Sequence, residues 1–293
     1  MAKKYDIALE QKIVSAYSSG ISPYEMVKTF PELQGKRPSV VYGVLKRLGI
    51  NSHRQIKLTE DQKLNRRIYN CNDSYFETID TEEKAYWLGF LYADGFINTN
   101  TDVIGITLAV KDKDHLKKFK KAISFTGQIK EYVQTSGYAV GNIYARILIR
   151  SGKMKRDLKD KGIVENKTLL LKFPTCVPSH LIHDFIRGYI DGDGCITTQK
   201  HFKTRTEYAI KITGTKEMLL GIQDVFNLNL TLEQRYPERN VNNYSITISG
   251  NNQVERILDL LYKNSTIHLT RKYIRYLEFK QYTVVHGQAR RRP

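Results

Sequence analysis

Apolar and polar positions recur along this chain with two periods, and each change of period marks a new element. Leu9, Ile13 and Tyr17 stand at helical spacing over residues 7–19, and Gly20 closes that run. Ser22-Pro23-Tyr24-Glu25 opens a second, short helix, with a capping serine, proline at the first helical position and an acid three residues after the cap. Val40, Val41, Val44, Leu45 and Leu48 form the apolar side of a third helix, closed by Gly49. These elements predict a small all-α domain over residues 1–50. Residues 51–79 read as a polar, basic linker, in which Thr59 to Gln62 marks the opening of a short helix.

From residue 80 one series of elements runs through twice. An apolar run at 85–95 leads into two strands over 96–110, a helix over 112–123, a hairpin over 127–150 that turns near Ser136-Gly137, and a helix over 151–162. A second apolar run at 184–194 leads into strands near 195–201 and 206–213 and a helix over 215–227. Strands near 230–236 and 243–249 and a helix over 251–263 complete that series. The prediction is an α+β fold of two pseudo-symmetric αββαββα halves, 80–178 and 179–282, with a basic tail at 283–293. In the strands Ile143, Ala145, Ile147 and Ile149 alternate with Tyr144, Arg146, Leu148 and Arg150, and Tyr208, Ile210 and Ile212 alternate with Ala209, Lys211 and Thr213. One face packs on helices and the other is largely polar and basic. A half-buried antiparallel sheet has one polar face in any case, so the alternation alone identifies no ligand.

The two apolar runs are themselves a repeat. AYWLGFLYADG (85–95) and DFIRGYIDGDG (184–194) align without a gap, placing Gly89 on Gly188, Asp94 on Asp193 and Gly95 on Gly194, each pair 99 residues apart. Each reads as a short, nearly all-apolar helix ended by an acid. Thr81-Glu82-Glu83 starts the first, and Gly95 and Gly194 are expected to stop the helices in a left-handed residue. A glycine inside a helix costs about 1 kcal/mol against alanine, and its usual return is close backbone approach to a neighbour. Since Gly89 and Gly188 occupy the same place, the two helices are expected to pack on one another. Packing alone accounts for one such run, but its repetition at a fixed place argues for more. Asp94 and Asp193 then meet at two helix C-termini, where the dipole favours cations. Two like charges about 4 Å apart repel by about 4 kcal/mol at an effective dielectric near 20, a cost that a divalent ion with oxygen ligands removes. An EF-hand calcium loop does not fit Asp191-Gly192-Asp193-Gly194, because Tyr189 and Lys200 would fall on its first and last positions.

Composition narrows the partner. A formal charge of +17 and a pI near 9.6 point to a polyanion, nucleic acid first, against the plainer reading of a basic solvated surface. With 41% apolar residues and 19 tyrosines the 293 residues can bury sizeable cores. Cys71, Cys176 and Cys195 lack metal-ligand spacing and suit a reducing compartment. The chain shows no secretory signal and no spanning apolar run. It is therefore expected to be soluble and intracellular, in the cytoplasm or nucleoid of a prokaryote or phage-infected cell, without a membrane partner.

WLGFLYADG (87–95) and IRGYIDGDG (186–194) resemble the LAGLIDADG motif of homing endonucleases over its full length. The resemblance implies that the motif helices form the interface of two αββαββα halves within one chain. It further implies that Asp94 and Asp193 hold catalytic Mg2+ or Mn2+, with Ca2+ binding without supporting cleavage. Each half is then expected to supply a basic residue near its last helix. In the second half this falls on Lys272, with Arg271 beside it as a DNA contact. In the first it falls on Lys167, which matches the local pattern better, or on Lys172, which matches the spacing from its aspartate. Phosphate binding or plain solvation is the alternative for each lysine. Tyr92 departs from the motif where the second copy has Asp191. Asp112 aligns near Gly214, an asymmetry expected to weaken one cleavage pocket.

The first three helices resemble a helix-turn-helix module whose last helix would bring Lys46 and Arg47 to the major groove, the alternative being a helical bundle without a DNA role. Arg54, Lys57, Arg66 and Arg67 of the linker are expected to touch DNA or else to be simply solvated. Two sheets side by side would lay Arg146, Arg150 and Lys211 along the major groove, where each base pair shows a distinct pattern. The chemistry implied is metal-assisted phosphodiester hydrolysis. The reading is a site-specific double-strand DNA endonuclease of a mobile element, monomeric, with a long specific target in double-stranded DNA and no obligate protein partner. The alternative is a DNA-binding transcriptional regulator or RNA maturase that uses the scaffold without cleavage. An intein is disfavoured by the Met-Ala-Lys opening and the Arg-Arg-Arg-Pro end.

Overall fold

The computed structural model describes residues 5–50, 67–137, 139–201, 205–239 and 241–289. By its contacts the chain divides into two units, Met1–Arg67 and Ile68–Pro293. Arg54, Lys57, Arg66 and the expected helix start at Thr59 lie outside the described residues.

The first unit contains α1 (Ile7–Ser18), α2 (Pro23–Thr29) and α3 (Ser39–Arg47), with a 3-10 turn at Pro31–Leu33. Ser22 caps α2, its Oγ accepting the Glu25 amide at 3.2 Å. Gly20 and Gly49 follow α1 and α3 at φ +95° and +71°, a region closed to most side chains. Ile13, Ala16, Met26, Leu33, Val41, Val44 and Leu45 form the core, whereas Leu48 is exposed.

The second unit is built on α4 (Glu82–Asp94) and α7 (Ile182–Asp193), which pack on one another along their length. Each leads into the same series. After α4 come β1 (Gly95–Ile97), β2 (Val103–Ala109), α5 (Lys113–Ala122), β3 (Lys130–Val133), β4 (Ile143–Arg150) and α6 (Gly152–Asp160). After α7 come β5 (Gly194–His201), β6 (Arg205–Gly214), α8 (Lys216–Phe226), β7 (Glu233–Gln234), β8 (Tyr244–Ile248) and α9 (Asn251–Tyr262). Both sheets are four-stranded and antiparallel, in the orders β1-β2-β4-β3 and β5-β6-β8-β7. One continuous core runs through the unit, from Tyr75 to Phe279. This is an α+β fold with the expected αββαββα repeat.

Three expectations need correction. The linker does not extend to residue 79. The Asn70 amide donates to Thr126 Oγ1 (2.8 Å), the Thr126 and Asn72 amides bond to Asn70 and Ile123 carbonyls, and Tyr75, Phe76 and Ile79 are buried. Those three apolar side chains bind this stretch to the core. Second, Gly95 and Gly194 are not left-handed; both are extended, at φ −76° and −97°, and begin strands. They are glycine for want of space, since an added Cβ would lie 2.7 Å from Leu91 O or 2.6 Å from Ile190 O. Third, residues 283–289 are not tail: α10 (Thr270–Ala289) runs through them. Its Phe279 packs edge-on to Tyr208 of β6, with ring centres 4.8 Å apart.

Candidate active site

α4 starts where Thr81 Oγ1 accepts the Lys84 amide at 3.3 Å, and Glu82 and Glu83 occupy its first turn. Its residues from Ala85 to Ala93 are all buried, so it is apolar on every side. In α7 the residues from Phe185 to Asp191 are buried in the same way. The glycines set the approach. A Cβ on Gly89 would overlap the Phe185 carbonyl, and one on Gly188 would overlap that of Tyr86. The helices stay close to their ends, where a Cβ on Gly192 would collide with Ala93 and lie 3.2 Å from Asp94 Oδ2.

Asp94 and Asp193 therefore end two helices that meet. Burial pushes the Asp94 carboxyl up to about 6, and the charge of Asp193 adds to this; Lys167, Arg271 and Lys272 oppose it. Burial likewise raises Asp193, against Lys167 and Lys272. Among the described residues neither carboxylate accepts a hydrogen bond. Each half supplies one buried lysine. Lys167 stands in a 3-10 turn (Lys167–Leu169) entered through a left-handed Asn166, at φ +54°, and its Nζ donates to Ala93 O. Lys272, in the first turn of α10, donates to Ile190 O at 3.1 Å and to Gly194 O. Both lysines sit at a helix C-terminus, where a cation is favoured. Burial holds both below the ordinary lysine value, opposed by Asp193 and Asp94 for Lys167 and chiefly by Asp191 for Lys272. Lys172 is exposed and its charge acts on Glu217.

The donor set suits a hard divalent cation. Two carboxylates without hydrogen bonds, beside helix-end carbonyls, are the oxygen ligands that Mg2+ accepts when substrate phosphate and water complete its shell. Among the described residues no group of three or more His, Cys, Asp or Glu is placed to hold a metal. Asp94 and Asp193 are the two carboxylates that would hold it. A cleft of about 350 Å³ opens beside Lys167, lined by Phe96, Asn98, Asn166 and Thr168 among others.

Three features of this site were not read from the sequence. Asp191 is fully buried and accepts from Tyr262 Oη (2.6 Å), Tyr86 Oη (2.7 Å) and the Leu269 amide (2.7 Å), the last just before α10. Tyr86 gives its proton to Asp191, so His115 Nε2, 2.9 Å away, must carry one and donate to Tyr86 Oη. Burial pushes His115 down to about 3, and its Nδ1 has no partner among the described residues. Arg187 is buried and donates to Glu82, Asp184, Ile267 O and Leu261 O at 2.7–2.9 Å, while Glu82 also accepts from Thr266. This ties α4, α7 and the segment before α10 together. Finally, Arg271, expected as a DNA contact, is ion-paired within the protein: its Nε donates to Asp112 Oδ2 at 3.0 Å, across the two halves. Each feature joins residues far apart in sequence, and no local pattern announces it.

The expected DNA contacts are placed as follows. Arg146 is half-buried and Arg150 exposed on the open face of the first sheet, and Lys211 is exposed on that of the second. Lys46 is exposed, whereas Arg47 is ion-paired with Glu10 within the first unit. Arg67 is partly buried. Beside Asp94 the open face of the first sheet is apolar: Phe96, Gly105 and Leu148 stand in register, with Phe96 37% and Leu148 46% exposed. The matching row beside Asp193 is Cys195, Lys211 and Thr247.

A sequence profile described as LAGLIDADG endonuclease matches residues 186–283, the second half. Among curated protein sequences none matches. Among solved structures, a double lysine-to-alanine mutant of I-SmaMI aligns at 12% identity and TM-score 0.51, over 70% of this chain and 92% of that one. The LAGLIDADG meganuclease I-AabMI bound to uncleaved DNA aligns at 14% identity and TM-score 0.49, over 70% of this chain and 91% of that one. The LAGLIDADG homing endonuclease I-LtrWI bound to target DNA aligns at 14% and 0.47, over 74% and 92%. At such identities the likeness is one of fold, and the fold is that of the LAGLIDADG meganucleases.

Proposed function

We propose that this chain is a site-specific double-strand DNA endonuclease that hydrolyses phosphodiester bonds with divalent metal ions, Mg2+ or Mn2+, held by Asp94 and Asp193. One observation carries the reading. Two helices in glycine contact end in acids that accept no hydrogen bond among the described residues, and each helix end carries its own buried lysine. A structural role explains the helix contact but not two neighbouring carboxylates, Asp94 half-buried and Asp193 exposed, whose charges oppose one another. A bound divalent ion would stabilise the attacking and leaving oxygens of the phosphodiester. Lys167 and Lys272, fixed by carbonyls of α4 and α7, present one positive charge on each side. That is the arrangement for stabilising charge that develops on one scissile phosphate per half. Asp191 positions Lys272 by holding the Leu269 amide at the start of its helix. Both halves lie in one chain, so a monomer suffices.

DNA is held by the open faces of the two sheets, with Arg146, Arg150 and Lys211 on them. Lys46 of α3 is the contact offered by the first unit as a helix-turn-helix module. The proposal includes a long target, cut as part of a mobile element's spread. Ca2+ should support binding without cleavage. The test is incubation of the full chain with a library of supercoiled plasmids bearing random inserts, with Mg2+, Ca2+ or EDTA. Linearisation of a defined subset with Mg2+ alone supports the reading. Binding without cleavage under every condition would indicate a regulator.

A further inference from the structure

The registers of the two sheets allow them to be matched residue by residue. Gly95 pairs with Ile106 and that with Ile147, as Gly194 pairs with Ile212 and that with Ile246. Arg146, Thr107 and Lys130 of one sheet then correspond to Ser245, Thr213 and Glu233 of the other. The same row is strongly basic in one half and neutral to acidic in the other.

Arg146 is oriented by neutral partners. Its Nε donates to Thr107 Oγ1 at 2.9 Å and its Nη2 to Tyr132 Oη at 2.6 Å. Its guanidinium carbon lies 4.6 Å from the centre of the Tyr132 ring, which stacks on Tyr144 with centres 6.0 Å apart. Arg47, Arg187 and Arg271 are each ion-paired; Arg146 has no ion pair among the described residues. It is oriented by neutral hydroxyls and keeps its charge uncompensated. A guanidinium has five donors, so these two bonds leave three N–H groups, both of Nη1 and one of Nη2, from which a pair of donors can be presented. That pair matches O6 and N7 of guanine in the major groove. β4 is an inner strand, flanked by β2 and β3. With the sheet laid in a major groove, as proposed, an inner strand is the one set over the floor, where base edges lie, rather than over the phosphate walls.

We infer that Arg146, racked by Thr107 and Tyr132, reads one guanine in the half-site bound by the first sheet, and that the second half-site has no such requirement. Ser245, at the corresponding place, is buried and offers no fork of donors. The target is therefore asymmetric at this pair of positions. Thr107 and Tyr132 are positioning residues. The inference rests on the proposal that the sheets hold DNA.

The full chain would be mixed in calcium buffer with a pool of duplexes carrying a randomised core, and the bound fraction sequenced after repeated selection. The same is done with Arg146→Gln and Tyr132→Phe, each checked for an unchanged thermal midpoint. The wild-type pool should converge on an asymmetric sequence with guanine fixed at one position of one half-site. Arg146→Gln should lower that guanine preference by about ten-fold or more and shift it towards adenine, leaving every other position as before. Tyr132→Phe should weaken the same preference alone. An Arg146→Gln pool with unchanged base preferences, or one weakened evenly at all positions, would overturn the inference and make Arg146 a phosphate anchor. A wild-type pool that converges on nothing would overturn the DNA reading itself and this inference with it.

Discussion

Gly89 and Gly188 hold reciprocal positions: each faces a carbonyl of the opposite helix, Gly89 that of Phe185 and Gly188 that of Tyr86. Neither site can admit a methyl group without moving backbone. Gly89→Ala or Gly188→Ala should therefore destabilise the second unit by about 1–3 kcal/mol, despite the better helix propensity of alanine. Gly43, inside α3 with nothing near its absent Cβ, is the control. Gly43→Ala should stabilise the first unit slightly. Denaturant midpoints would show this, and an unchanged midpoint for both motif glycines would mean that the helices are not in contact.

The metal-free protein should lose stability as Asp94 ionises. Its folded value of about 6 lies above the model-compound 3.8, so its contribution is fully present below 3.8 and is lost as pH rises through 6. His115 acts oppositely: with a folded value of about 3 against 6.5, its contribution is present above 6.5 and is lost as pH falls towards 3. Comparing Asp94→Asn with wild type at each pH cancels the histidine. In EDTA the variant should match wild type near pH 4 and be more stable by about 1–3 kcal/mol at pH 8. Added Mg2+ should narrow the gap by stabilising only wild type. A variant less stable at pH 8 would place a stabilising partner on Asp94.

The two lysines should act on separate strands. Lys167→Met and Lys272→Met should each slow one strand by about a hundred-fold and leave a nicked product, because each serves one half. Lys172→Ala should cut normally, since Lys172 is exposed and beside Glu217. Strand-resolved cleavage of end-labelled duplex would separate the three. Equal slowing of both strands by each buried lysine would end the assignment of one lysine to each half.

The N-terminal unit should add affinity without setting the cut. Each phosphate neutralised contributes roughly −0.9 to the slope of log affinity against log salt. Removing residues 1–67 should flatten that slope and leave the cleavage position unchanged. The remaining chain keeps its own core, which involves none of those residues. An unaltered slope would remove Lys46 and its neighbours from the DNA interface.

The repeat, the motif helices, their glycine contact and nearly every strand could be read from the sequence, because each leaves a local period or a residue type that only one geometry uses. The buried partners could not. Arg187 meets Glu82 across 105 residues, and Asp191 meets the Leu269 amide across 78. Periodicity places such residues on a helix but says nothing of what lies opposite. Tyr92 illustrates the point: it stands where the second copy has Asp191, yet its hydroxyl bonds to Lys161 O rather than to a tyrosine pair. Gly95 and Gly194 depart from the expected left-handed conformation for a related reason. Closure after a helix usually signals a left-handed residue, whereas here the constraint is the carbonyl one turn back.

Asp94 and Asp193 are proposed to share the metal chemistry of both strands. The most direct test is single-turnover, strand-resolved cleavage of the selected target by wild type, Asp94→Asn and Asp193→Asn, with Mg2+ and with EDTA, alongside binding in Ca2+. Wild type should cut both strands only with Mg2+. Each variant should lose about a hundred-fold or more on both strands while retaining most of its DNA affinity. Full double-strand cutting by either variant, or wild-type cutting in EDTA, would show that the two aspartates do not hold the metal for both strands.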